Sequence, residues 1–227
     1  DANSFILVFF GTVGSSLIST SFADFKGLSQ LFKNLFFPST KQLSLNEAIE
    51  IMIKISQDAQ SVSRQALPDS IKGKKDLFLI RSIDMVAAGL DKDFIIQTLD
   101  TDIEEIRHRH AKKVTTVRTM GSFAPMFGMA GTVIGVIQVL KNVTDIDNIV
   151  SGMALALMTT LYGLFFSSIF FIPLSNKLKN LSEQEILTKQ IIAQGIEMIM
   201  DKEIPLKVEK YLTAYVQSTQ KETASKK

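Results

Sequence analysis

Three threonines carry hydroxyls into stretches of this sequence that are otherwise apolar. Thr132 falls in the uncharged run 119–140, and Thr159 and Thr160 fall in the uncharged run 148–176. Both runs hold small residues at helical spacing: Ala124, Gly128, Gly131 and Gly135 in the first, Gly152, Ala156, Thr160 and Gly163 in the second. Such spacing lets another helix approach closely, and a hydroxyl there either lines a wet or partner-facing surface or bonds back to its own helix. Three hydroxyls on two seams favour the wet or partner-facing surface. Neither run contains Asp, Glu, Lys or Arg, so the titrating group of an ion path would belong to another chain. Pro125 removes a backbone N–H inside the first run and frees a carbonyl that needs a neighbour or water; it reads equally well as a kink that serves packing.

The elements that hold these residues are membrane helices by length. A bilayer core about 30 Å thick takes some 20 residues of α-helix, and the uncharged runs Asn3 to Ala23, Thr119 to Leu140 and Asn148 to Asn176 all suffice. All but one of the 25 Lys and Arg residues then lie in 24–118 and 177–227, and only Lys141 lies in the opposite compartment. This positive-inside bias predicts Asp1 and the loop 141–147 outside, with 24–118 and 177–227 in the cytoplasm. The expected organisation is a span at 1–23, a cytoplasmic helical domain at 24–118, a span at 119–140, a short periplasmic loop at 141–147, a span at 148–176 and a cytoplasmic helical tail at 177–227. Three spans leave the amino terminus outside, yet the sequence begins at Asp1 without a signal peptide, so a further upstream span is expected; an uncleaved, translocated start is the alternative.

The middle segment reads as helices throughout. Ser44 and Glu47 form a capping box, and Leu45, Ala48, Ile49, Met52 and Ile53 make an apolar stripe that predicts a helix to about Arg64. Pro68 and Gly73 break the chain, and a second helix is expected from near Asp76 to Gly89, a C-cap. From about Asp93 an uninterrupted helical pattern runs into the second span, predicting one long rod. After the last span an apolar stripe from Leu178 to Met200 continues to Pro205. No β signal of weight accompanies them, so the fold class is all-α: a polytopic helical membrane protein with a helical cytoplasmic domain.

Zero cysteines exclude a disulfide framework, a thiolate metal site and a Cys nucleophile. His108 and His110 are flanked by Arg107 and Arg109 and spaced by two, which suits a solvated surface and no metal site. A net charge of +2 does not point to nucleic acid, and residues 221–227 read as a frayed, Lys-rich tail near anionic lipid. No nucleophile set, metal set or phosphate loop marks an enzyme, and no cofactor is expected.

The strings Phe123 to Met129 (FAPMFGM), Gly131 to Gly135 (GTVIG), Met153 to Gly163 (MALALMTTLYG) and Phe171 to Leu178 (FIPLSNKL) resemble the third and fourth spans of the flagellar stator proteins MotA and PomA. The likeness covers the whole layout, including an Asp before the first span. That family has four spans, which would make the three here its second to fourth, with the first apparently absent from this chain. The resemblance implies an ion-conducting stator subunit: a homo-pentamer in the bacterial inner membrane around a MotB- or PomB-type dimer. The dimer's transmembrane Asp binds the ion, sodium or proton, and ion flow drives rotation and torque on the rotor protein FliG. It implies that Pro125 and Pro173 serve coupling, that Thr132, Thr159 and Thr160 line the ion path, and that Gly128, Gly131, Gly135, Ala156 and Gly163 pack helices against one another. Rotor contact is expected among Arg64, Lys74, Lys75, Asp76, Arg81 and Asp84, although the spacing around Pro68 and Gly73 departs from the family pattern. Two alternatives stay open: an ExbB- or TolQ-like energy-transducing subunit, and a helical membrane scaffold that conducts nothing.

Overall fold

A computed structural model describes residues 2–20, 43–141 and 143–225, with side chains to residue 216. Among these residues every regular element is a helix. They run α1 (Ala2–Ser19), α2 (Leu45–Ser61), a 3-10 helix (Arg64–Ile71), α3 (Leu77–Ala87), α4 (Lys92–Lys141), α5 (Ile146–Phe165), a π-helical turn (Phe166–Phe171), α6 (Ile172–Met200) and α7 (Pro205–Ser225). The boundary expected between residues 23 and 24 lies outside the described residues.

Local chemistry accounts for most ends. At α2 the Ser44 hydroxyl accepts the Glu47 N–H while the Glu47 carboxylate accepts the Ser44 N–H, the reciprocal box that the sequence predicts. These bonds to Ser44 hold the Glu47 carboxyl below its ordinary range. The helix stops at Ser61, short of Arg64, and Pro68 sits inside the 3-10 turn that follows. Asp76 caps α3 by accepting the N–H groups of Phe78 and Leu79, and Gly89 closes that helix at φ +74°, a left-handed conformation that glycine adopts without strain. The rod is one helix of 50 residues, α4. Helix α7 reaches Ser225, so the backbone is helical over much of the tail expected to fray.

The chain divides into two compact units. One, here called the apolar unit, holds α1 and residues 109–181. The other, the charged unit, holds the described chain from 43 to 108 together with 182 onward. Helices α1, α4 and the α5–α6 run each contain a stretch long and apolar enough to cross a membrane.

The charged unit is built on an aliphatic core. Met52, Ile55, Leu79, Ile83, Ile95, Leu99, Ile191, Ile192, Ile196 and Leu212 are all fully buried, and they come from α2, α3, α4, α6 and α7. Each helix contributes a single stripe that cannot stand alone in water, so mutual burial is what folds it. Gly195 gives α2 its close approach, since a Cβ there would sit 2.6 Å from the Met52 methyl. At one edge Lys92 reaches Asp201 at 2.6 Å and Glu197 at 3.3 Å, and these carboxylates raise its pKa.

Candidate functional site: the seam between two apolar helices

Helices α4 and α5 meet through glycine. A Cβ added at Gly131 would come 2.4 Å from Thr159 Cβ, one at Gly135 would come 2.5 Å from the Gly152 carbonyl oxygen, and one at Gly163 would come 2.7 Å from the Ala124 carbonyl oxygen. Contacts this short are open only to hydrogen, so these glycines are required where lipid supplies no hydrophobic drive for association. Gly128 is less tightly held, a Cβ there coming 3.0 Å from the Thr159 carbonyl oxygen and 3.3 Å from Thr160 Cα. Ala156 belongs to the same seam, against Gly135.

The three threonines divide. Each donates its hydroxyl proton to its own helix: Thr132 to the Met129 carbonyl at 2.6 Å, Thr159 to Leu155 at 2.9 Å, Thr160 to Ala156 at 3.2 Å. Thr132 and Thr160 are half-buried. Thr159 is fully buried against Gly131. In this chain Thr159 therefore packs the seam, while Thr132 and Thr160 lie less deeply buried.

The two prolines meet different backbone: α4 is α-helical on both sides of Pro125, and a π-helical turn precedes Pro173. Pro125 lies inside α4, and the carbonyl it leaves without a partner in the helix, that of Gly121, accepts the Ser167 hydroxyl at 2.6 Å. Ser167 belongs to the π turn, where the Ile172 N–H closes onto the Ser167 carbonyl five residues back. Pro173 follows that turn as the second residue of α6 and is exposed. A wider turn just before a proline gives its ring room that an α-turn lacks. The sequence points to the orphaned carbonyl at Pro125 but not to its donor, because a serine 46 residues away carries no local signal.

Helix α1 is more than a lipid-facing aromatic strip. Phe5 and Phe10 are exposed, while Ser4, Val8, Thr12 and Ser16, one turn apart, are buried. Phe5 and Phe9 pack edge-on or tilted against Phe166, and Gly11 lies against the Phe127 ring.

Among the expected rotor charges, Arg64, Lys74, Lys75 and Asp84 are exposed. Arg81 is exposed and paired with Asp102. Asp76 differs from the rest of the set: it is buried, caps α3, and pairs at 2.6 Å with the buried Lys189, whose ammonium also lies 5.3 Å from the Phe78 ring centre. Its carboxylate is committed to a cap and a buried cation, which is a structural duty within the charged unit. Among the described residues no cluster of His, Asp or Glu suits a metal.

Two apolar helices locked by glycine, with hydroxyls and no Asp, Glu, Lys or Arg in 119–140 or 148–176, are the features to set beside known membrane proteins. The chain belongs to the MotA/TolQ/ExbB proton channel family, whose model matches residues 70–191. It is similar to the chemotaxis protein PomA of Vibrio alginolyticus, 29% identical over 95% of this chain and 84% of that protein. It is also similar to motility protein A of Aquifex aeolicus, 35% identical over 73% of this chain and 66% of that protein. The structure resembles a chain of the flagellar MotAB stator complex from Bacillus subtilis, with a TM-score of 0.85 at 26% identity over 97% of this chain and 86% of that one. The chain is thus a MotA-type flagellar stator protein, a membrane protein of an ion-transporting class and not an enzyme.

Proposed function

We propose that five copies of this chain surround a MotB- or PomB-type dimer in the bacterial inner membrane and turn around it as ions pass. The observation that carries this reading is the α4–α5 seam, where Thr132 and Thr160 present oxygen beside a chain of glycines and no Asp, Glu, Lys or Arg lies in 119–140 or 148–176. The missing carboxylate is the partner's transmembrane Asp, which agrees with the two-component complex that the Bacillus subtilis relative forms. Spans 1–23, 119–140 and 148–176, an outer loop at 141–147, and cytoplasmic parts at 24–118 and 177–227 satisfy the cation bias. The exposed Arg64, Lys74, Lys75, Arg81 and Asp84 face the rotor protein FliG, and Pro125 and Pro173 couple ion passage to that contact.

The coupled ion is sodium. Sodium prefers several hard oxygen ligands, whereas a proton needs one acceptor. Thr132 and Thr160 have committed their protons to backbone carbonyls, so what they turn outward is lone pairs alone, as a cation ligand should. Rotation speed measured against external sodium at constant proton-motive force tests this. Speed is expected to rise with sodium and saturate, and Thr132→Ala should raise the sodium needed. Speed independent of sodium, with Thr132→Ala fully active, makes protons the driver.

A further inference from the structure

We propose that Ser167 is a positioning residue that ties the two coupling prolines together, its hydroxyl standing in for the N–H that Pro125 lacks. The role assigned to it in rotation rests on the stator reading; the bond itself does not. In an α-helix the carbonyl of residue 121 accepts the N–H of residue 125. Proline has no N–H, so the Gly121 carbonyl is orphaned in the middle of an apolar helix, where water is scarce and an unpaired carbonyl is costly. Ser167 answers it at 2.6 Å, and both residues are buried.

Three further facts mark this bond as a device and not a chance contact. Thr12, Ser16, Thr132, Thr159, Thr160 and Ser175 each donate to a carbonyl of their own helix, three or four residues back, whereas Ser167 crosses to another helix. Residue 121 is a glycine, and a Cβ there would come 3.2 Å from Ile172 Cγ1 and 3.3 Å from Phe171 Cβ, so the absent side chain permits the approach. Ser167 also stands in the π turn just before Pro173, where one extra residue in the helical turn rotates the following side chains by roughly 100° and so sets which face meets α4. One hydrogen bond thereby joins the broken rung at Pro125 to the widened turn at Pro173. It fixes the approach of α4 to the π turn at that rung.

The test is a double-mutant cycle in the full complex with its partner dimer, comparing Ser167→Ala, Pro125→Ala and the two together. Pro125→Ala restores an N–H at 125 that takes the Gly121 carbonyl, so it should remove the need for Ser167. Ser167→Ala alone should lower the thermal midpoint by a few degrees and slow rotation several-fold at an unchanged number of assembled units. In the Pro125→Ala background the same change should leave the midpoint where it was. Assembly of the double variant but not of Ser167→Ala carries the same meaning. Equal shifts in both backgrounds, no effect of Ser167→Ala, or failure of both to assemble overturns the proposal. The midpoint cycle decides the bond even if rotation proves independent of sodium or absent, so its failure and that of the stator reading are told apart.

Discussion

In the apolar unit helices meet through glycines and carbonyl oxygens, with Gly131 on Thr159, Gly135 on Gly152 and Gly163 on Ala124; in the charged unit they meet through Ile, Leu and Met side chains and one buried ion pair. The difference follows the solvent each is suited to. Aliphatic surface has somewhere better to go only when the alternative is water, so it drives the charged unit and does little for helices bathed in hydrocarbon. There, close backbone approach must supply the contact, and every polar group needs a partner inside the protein, as Gly121 finds in Ser167.

The largest expected effect lies in the charged unit. Lys189→Met leaves the Asp76 carboxylate buried without its cation, a loss of about 3–5 kcal/mol, and should shift thermal unfolding followed by circular dichroism down sharply. Adding Asp76→Asn keeps a capping oxygen and removes the stranded charge, so most of the loss should return. If the single change is harmless, the pair contributes only proximity.

The apolar unit should break next. Gly131→Val drives a branched side chain into Thr159 and should cost about 1–3 kcal/mol or more by overpacking, with loss of the assembled particle in detergent. Gly14 lies on α1 with nothing within 4 Å of an added Cβ, so Gly14→Ala should be neutral or slightly stabilising in the same assay. Equal sensitivity at both glycines would erase the distinction drawn between seam and open helix.

Smaller effects sharpen the picture at the edges of the charged unit. Ser44→Ala removes the cap of α2 and should cost about 0.5–2 kcal/mol. The Glu47 pKa lies below its ordinary 4.5 in the folded chain, so the stability it lends is present above that value and fades as pH falls below it. Lys92 is raised above its ordinary 10.5, so its contribution is complete at neutral pH and is lost only as pH climbs past that value. Titration of the unfolding midpoint in the wild type and in Ser44→Ala checks the acid limb, which should be weaker in the variant.

Much of this was legible in the residues. The capping box at Ser44 and Glu47, the start at Asp76, the close at Gly89 and the unbroken rod through residue 118 are local signals, and the helices follow them. The seam glycines were also legible, because periodicity of small residues is itself the signal. The burial of Thr159 and of Asp76 is not legible in the sequence, for one shared reason. Residue type tells what a side chain can do, and only packing tells whether it faces a ligand or a neighbouring helix. Ser167 and Lys189 were missed because their partners lie 46 and 113 residues away. The π turn left no mark beyond Pro173, which tolerates several backbones before it.

The central claim is that this chain forms a ring around a partner that supplies the ion-binding carboxylate. Imaging of the particle purified with its MotB-type partner tests it most directly. The account predicts five copies around a central pair of partner helices, with α4 and α5 on the inner wall. A ring of another number, a ring with neither a central pair nor a hole for one, or a particle with α1 at its centre would contradict it.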